Sequence, residues 1–333
     1  MLACYGTLGP CCQSAEMLEA MFDLGMTGVR LNTSHVSLRR AEPWIEALHR
    51  AAQRAGVRAE LIIDMRGPEL RIGALPAPVR LNDGDTVLFD TPGGIPLPDA
   101  VSARLRPGQE LRLDDGKLCV EVVPSEGGLR GRVRQGGVLL SRKSVAVAGE
   151  CIRLPALTGY DRENLACAAS YGVTGVMQPF VRSREDLEDV RRAMGEAGCE
   201  ALRLFAKIEN REGLAKLEEL IPACDEIVIA RGDLGNAVPL WELPRVQKEI
   251  AAVCRREGRA FMVVTQMLAS MEQSPSPTRA EVSDIFNAVL DGAASLMVTG
   301  ETAAGNYPVE VMRYLTLTAA EAEKYRRSER KHP

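Results

Sequence analysis

The sequence predicts an α/β fold: a closed (β/α)8 barrel of the TIM type, interrupted by a small inserted β domain. Three observations predict it. Short apolar runs bounded by small or charged residues recur eight times, and an amphipathic stretch follows nearly every one. Strands alternating with helices pair in parallel, and eight such units close a barrel. One interval, from Arg71 to about Arg153, abandons that rhythm for short alternating segments rich in Gly and Pro. Setting about 80 residues aside there leaves about 250, the usual size of such a barrel.

Taken in order, the strands are expected at residues 2–5, 28–31, 60–64, 174–178, 202–206, 226–230, 260–265 and 295–299. Helices are expected at 14–22, 38–55, 184–194, 214–221, 243–256, 279–290 and 308–322, where apolar residues follow a helical period. Two of these open with capping-box spacing, Ser183 with Asp186 and Thr278 with Glu281. The barrel therefore takes residues 1–71 and 153–333, and the insert takes 72–152. Within the insert, Asn82-Asp83-Gly84 and Asp115-Gly116 are turn signals that predict β-hairpins.

Composition narrows the function. Of the 333 residues, 46% are hydrophobic and 26% charged, enough to build a core. The net charge is −4, and the only basic run is the tail from Arg326 to His332, read as a solvated helix end. Nucleic acid and membrane surfaces are therefore not expected partners. No apolar segment approaches the ~20 residues needed to span a bilayer. The first ten residues lack the basic and apolar regions of a signal peptide. The nine cysteines are scattered with no CxxC pair, which fits a reducing compartment, the cytoplasm.

The chemistry gathers at the C-terminal ends of the strands, the face where parallel barrels bind ligands. The fifth strand runs into Lys207-Ile208-Glu209-Asn210 and the sixth into Arg231-Gly232-Asp233-Leu234-Gly235. Glu209 and Asp233 would stand on neighbouring strand ends and could grip one divalent cation, with Lys207 pointing into the same site. A rim salt-bridge network would place the same residues there. The second strand ends in Arg30-Leu31-Asn32-Thr33-Ser34-His35. Its arginine suits a phosphate or carboxylate, and Asn32 and Ser34 are hard oxygen ligands; a polar turn capping the next helix fits equally. Asp64 to Arg71 holds charges around a Gly-Pro turn, either a hinge facing the cleft or a charged surface hinge. The stretches after the seventh and eighth strands, from Thr265 and from Thr299, each also fit an ordinary loop.

In chain order, GTLGP, RLNTSH, DMRGPELR, RLPALTGYD, KIENREG, ARGDLG, TQMLASM, PSPTRAEVSD, NAVLDGA and TGETAAGNYP resemble the motifs of the pyruvate kinase family. The resemblance spans nearly the whole chain. It implies a catalytic barrel with a β-barrel-like lid, acting on phosphoenolpyruvate and ADP to give pyruvate and ATP through a Mg²⁺-stabilised enolate. Carried over by position, Glu209 and Asp233 resemble the ligands of Mg²⁺ (or Mn²⁺). Lys207 resembles the group that steadies the phosphoryl in flight, and Arg30 a phosphate contact. The backbone of Ala230, Arg231 and Gly232 resembles the cradle of the substrate carboxylate, with Asp233 beside it. Thr265 stands where the family places a hydroxyl near the carbon that is protonated. Arg71, His35 and Pro10 fall on the nucleotide side. Asn32, Ser34, Asp64 and the Met65 carbonyl resemble a K⁺ site.

The chain departs from the family in places. Met65-Arg66 replaces the common Thr-Lys, while Glu69 matches potassium-dependent members. Val36, Pro179, Ala237 and Thr299 also differ from the usual residues, mostly on the ADP side. The chain stops soon after the eighth helix, so the family's C-terminal regulatory domain is not expected, and any homo-oligomer would form through the barrel. Two alternatives keep the barrel: a paralogue with another reaction on an enolpyruvyl or 2-oxo acid, aldolase-like and metal-dependent or using another phosphoryl acceptor, and a catalytically silent regulatory paralogue. Retention of Lys207, Glu209 and Asp233 argues against the second, and Lys207 and Arg71 with a full lid argue against the first.

Overall fold

The computed structural model describes residues 2–329 apart from Asp115, Glu126 and Cys151. They fall into two compact units, one running to Gly67 and resuming at Pro155, the other Pro68–Leu154.

The first unit is a closed parallel barrel. Its strands are β1 (Ala3–Thr7), β2 (Gly28–Asn32), β3 (Glu60–Asp64), β4 (Gly175–Gln178), β5 (Arg203–Ile208), β6 (Glu226–Ala230), β7 (Ala260–Val264) and β8 (Ser295–Met297). Each pairs with its neighbours in sequence, and β8 closes on β1. Alternate residues of each strand serve opposite faces, as the pleat dictates. Val29, Leu31, Leu61, Ile63, Leu204, Ile227 and Val263 join one large core that includes Leu18, Leu48, Val190 and Ile250 of the surrounding helices. Tyr5, Ile62, Met177, Phe205, Val228, Met262 and Met297 form a separate buried layer inside the barrel. Two residues past Ile62 and Phe205, on that inner face, come Asp64 and Lys207, with Arg30 level with Ile62. The pattern that fills the barrel therefore also sets the height of the charged rim.

Element ends shift where local chemistry overrides periodicity. β5 runs through Lys207 to Ile208, so the lysine sits on the strand itself. β7 stops at Val264, because Thr265 and Gln266 turn to φ 81° and 54°. The helix expected from residue 38 starts at Glu42 with a proline in its first turn. The helix expected at 214–221 is broken into Arg211–Ala215, Leu217–Leu220 and a 3₁₀ turn at Ile221–Ala223, whereas Pro308–Glu329 is longer than its expected span. The tail residues 330–333, including His332, lie outside the described residues.

Of the two expected capping boxes, Thr278 with Glu281 forms in both directions. Ser183 makes no capping bond, which corrects the second expectation. The reason is competition: Asp186 accepts from the Arg182 amide at 2.9 Å and from its guanidinium at 3.0 and 2.8 Å. A box not anticipated, Thr158 with Asp161, opens the helix Gly159–Ala168.

The second unit holds a five-stranded antiparallel sheet, ordered Val145–Val147, Glu110–Leu113, Leu118–Val123, Arg130–Gln135, Thr86–Leu88, and a two-stranded pair, Val79–Leu81 with Gly137–Leu139. Phe89, Leu111, Val120, Val133 and Leu139 share its core. Glu110–Leu113 and Leu118–Val123 pair as a hairpin across the expected turn, whose Asp115 lies outside the described residues. The turn at Asn82-Asp83-Gly84 makes no hairpin, because its flanking strands enter different sheets. It is closed locally: Asp85 accepts from the Asn82 amide at 2.8 Å and from its side chain at 3.1 Å.

Among the described residues every cysteine is free, and no helix is long and apolar enough to cross a membrane.

Candidate active site

The parallel register brings four charged side chains from the ends of β2, β3 and β5 together. Arg30 on β2 lies beside Ile62 of β3, one pleat below Asp64. Its guanidinium donates to Asp64 Oδ2 from Nε at 2.9 Å and from Nη2 at 2.6 Å. Lys207 on β5 reaches the same oxygen at 3.1 Å and Glu209 Oε1 at 2.9 Å. The second Glu209 oxygen accepts the Phe180 amide at 2.8 Å, and Phe180 itself holds a left-handed φ of 52° after β4. Both carboxylates are sealed, with side chains 4% and 1% exposed, while Lys207 and Arg30 each keep 13%. The cations are the members of the cluster that still face outward.

Burial would lower the Lys207 ammonium, but Asp64 and Glu209 outweigh it and hold the ammonium above its usual range. Burial would raise the Asp64 carboxyl, and Lys207 and Arg30 more than reverse that. Glu209 goes the other way. Burial raises it to about 7, with repulsion from Asp233 and Asp64 adding to the rise and Lys207 opposing it. Asp233 and Asp64 thus crowd the Glu209 carboxylate, and Lys207 is the cation that opposes them. Two hard-oxygen carboxylates close enough to repel each other suit Mg²⁺, which binds through one or two carboxylates and completes its shell with water and phosphate oxygens. The donor set fits. It is also sparse, since no group of three or more His, Cys, Asp or Glu able to hold a metal occurs among the described residues.

Asp233 lies in the helix Arg231–Ala237, which follows β6 directly. Thr265 packs tightly over that helix start: a Cβ on Gly232 would come within 3.0 Å of Thr265 Cγ2. The lack of a side chain at Gly232 thus lets the threonine approach the backbone of Ala230, Arg231 and Gly232.

The other anticipated residues divide. Asn32 turns its Oδ1 toward the Ser34 amide at 3.1 Å, so this pair closes a local turn. Asp64 is engaged by two protein cations, and the Met65 side chain is buried, which leaves only its carbonyl for a ligand. Pro10 and His35 are exposed in the loops after β1 and β2. Arg71 belongs to the second unit, where it pairs with Glu69 at 2.7 Å and donates to the Arg142 carbonyl at 2.9 Å.

Two buried acids escaped the sequence reading. Asp161 accepts from the Arg66 and Gly67 amides at 2.7 and 3.1 Å, and so fixes the chain just after Met65. Glu301 accepts from the Leu268 amide at 3.1 Å and the Thr299 amide at 2.6 Å, tying together the loops after β7 and β8. The Thr158-to-Asp161 spacing was the one available signal for the first, and only the run Thr-Gly-Glu-Thr hinted at the second.

Comparison with known proteins agrees with this geometry. The family model described as "Pyruvate kinase, barrel domain" matches residues 3–312. A pyruvate kinase of Aeropyrum pernix is 39% identical over 96% of this chain and 70% of its own length. One from Methylorubrum extorquens is 38% identical over 96% of the chain and 68% of its own length. One from Geobacillus stearothermophilus is 33% identical over 96% of the chain, which spans 56% of that relative.

Proposed function

Since the chain belongs to the pyruvate kinase family, we propose that it moves the phosphoryl group of phosphoenolpyruvate to ADP, giving pyruvate and ATP. The observation that carries this reading is the buried cluster of Lys207, Arg30, Asp64 and Glu209 beside Asp233. Phosphoryl transfer asks a protein for positioning and charge neutralisation rather than covalent chemistry. Lys207 and Arg30 are held in place by carboxylates behind them, so they meet a developing negative charge without reorganising.

The bond from the enol oxygen to phosphorus breaks as a terminal phosphate oxygen of ADP bonds to that phosphorus. Lys207 faces the phosphoryl group in flight and Arg30 a phosphate oxygen. The backbone of Ala230, Arg231 and Gly232 holds the substrate carboxylate. The Thr265 hydroxyl stands by the methylene carbon, where the released enolate takes up a proton. Mg²⁺, or Mn²⁺, held by Glu209 and Asp233, would supply neutralising charge for the reacting oxygens. Within the first unit, His35 and Pro10 are assigned to the nucleotide. A K⁺ ion at Asn32, Ser34 and the Met65 carbonyl would have to share Asp64 with Arg30 and Lys207. The free cysteines support a reducing compartment, the cytoplasm.

The test is pyruvate formation from phosphoenolpyruvate and ADP with Mg²⁺, in buffers with and without K⁺. Turnover is expected. Its absence in both buffers, from folded protein, would refute the reading.

A further inference from the structure

Thr265 has φ 81° and Gln266 φ 54°. A left-handed β-branched residue is a backbone outlier, which persists only where its surroundings over-determine it. One guanidinium provides that here. Arg231 donates to the Thr265 carbonyl from Nε at 3.1 Å and Nη2 at 2.8 Å, and Nη2 also reaches the Gln266 carbonyl at 3.2 Å and Met267 Sδ at 3.0 Å. Nη1 pairs with Asp284 at 2.6 Å, on the helix Arg279–Leu290. The Arg231 side chain is 11% exposed. Its planar fork spans successive carbonyls, which a lysine cannot do.

We propose that Arg231 and Asp284 are positioning residues for Thr265, holding the strained turn so that the threonine hydroxyl is fixed at the reacting carbon. This rests on the role given to Thr265 above. The turn is bracketed on both sides: Gly232 leaves room for the threonine methyl, and Arg231, its neighbour in sequence, grips the carbonyls behind it. Asp284 fixes the direction of the guanidinium, so the helix Arg279–Leu290 sets where the hydroxyl points. Neither side chain needs to touch substrate.

The test compares wild type, Arg231→Met, Asp284→Asn and the double variant Arg231→Met with Gln266→Gly. Two readouts are taken: kcat and KM for phosphoenolpyruvate, and backbone amide exchange of the peptide spanning residues 264–268 without substrate. Arg231→Met should lose about 100-fold in kcat with KM nearly unchanged, the size expected of a misplaced reacting group. Exchange in that peptide should rise about tenfold as the turn opens. Asp284→Asn should move both readouts the same way by less, and it serves if Arg231→Met does not fold. Glycine at 266 adopts a positive φ without strain, so the double variant should recover part of the lost kcat. Wild-type exchange in Arg231→Met would overturn the clamp whatever its turnover. Raised exchange with wild-type kcat would overturn the link to Thr265. A double variant no faster than Arg231→Met would overturn the role of strain. If the wild type itself fails to turn over phosphoenolpyruvate, the proposed function fails, and the exchange arms still decide the clamp.

Discussion

Lys207 touches both Asp64 and Glu209, and its own charge is what a transferring phosphoryl group would meet. Lys207→Ala should lower kcat by about 10²–10³-fold, the usual cost of removing one preorganised charge donor. The fold should survive, because Arg30 still neutralises Asp64. Circular dichroism alongside the assay checks both halves, and normal turnover in the variant would remove Lys207 from the chemistry. Glu209→Gln should weaken Mg²⁺ binding, measured by titration calorimetry, since the amide keeps the shape but loses the charge. An unchanged titration would show that Asp233 binds without it. Both residues were legible in the sequence because apolar runs end in them, and a polar residue on the inner face of a strand end has few other uses. The partnership of Arg30 with Asp64 was not legible. It depends on the register of β2 against β3, which no local pattern encodes, and the sequence therefore suggested a cation site or a charged hinge for Asp64, not a partner for Arg30.

At the scale of elements, Ser183 and Thr278 show how far spacing carries. Both precede an acid by three residues, yet only Thr278 and Glu281 form the reciprocal box. Thr278→Ala should destabilise by about 1 kcal/mol, whereas Ser183→Ala should cost a few tenths at most, having no capping bond to lose. Urea unfolding of the two variants separates these outcomes. The Thr278 effect should depend on pH. Burial would raise the Glu281 carboxyl, but bonds from Ser270 and Thr278 more than offset this and lower it below its usual 4.5. A carboxyl lowered by folding stabilises above its unfolded value, and the benefit is lost as pH falls through the folded one. The gap between wild type and Thr278→Ala should therefore narrow on acidification below 4.5. The turn at residues 82–84 misled for a similar reason. Its residues do make a turn, but strand partners are chosen by distant segments.

The whole barrel depends on its lower end as well as its rim. Arg203, the first residue of β5, pairs with Glu226 of β6 at 2.5 Å and Glu60 of β3 at 3.2 Å. Tyr5 of β1 donates to Glu60 at 2.8 Å, and Ser295 of β8 donates to Glu226, so one cluster ties five strands far from the reacting groups. Conserving the barrel rather than the chemistry is the role of this end of the fold. Arg203→Met would leave two carboxylates inside the barrel without their cation. Such losses cost about 3–5 kcal/mol when fully buried, and solvent screening at the partly exposed Arg203 and Glu60 brings this to about 1–2. Burial already raises the Glu226 carboxyl, with Glu60 adding and Ser295 and Arg203 opposing. A carboxyl raised by folding favours the native state at low pH, and that benefit disappears as pH climbs through its folded value. Without Arg203 the carboxyl rises further, so the variant's deficit should be larger at pH 8 than at pH 5. Denaturant midpoints at both pH values measure it, and an equal deficit would show that the charge of Glu226 is not what Arg203 balances. Turnover per folded molecule should stay at the wild-type level, which separates this cluster from the one at the rim.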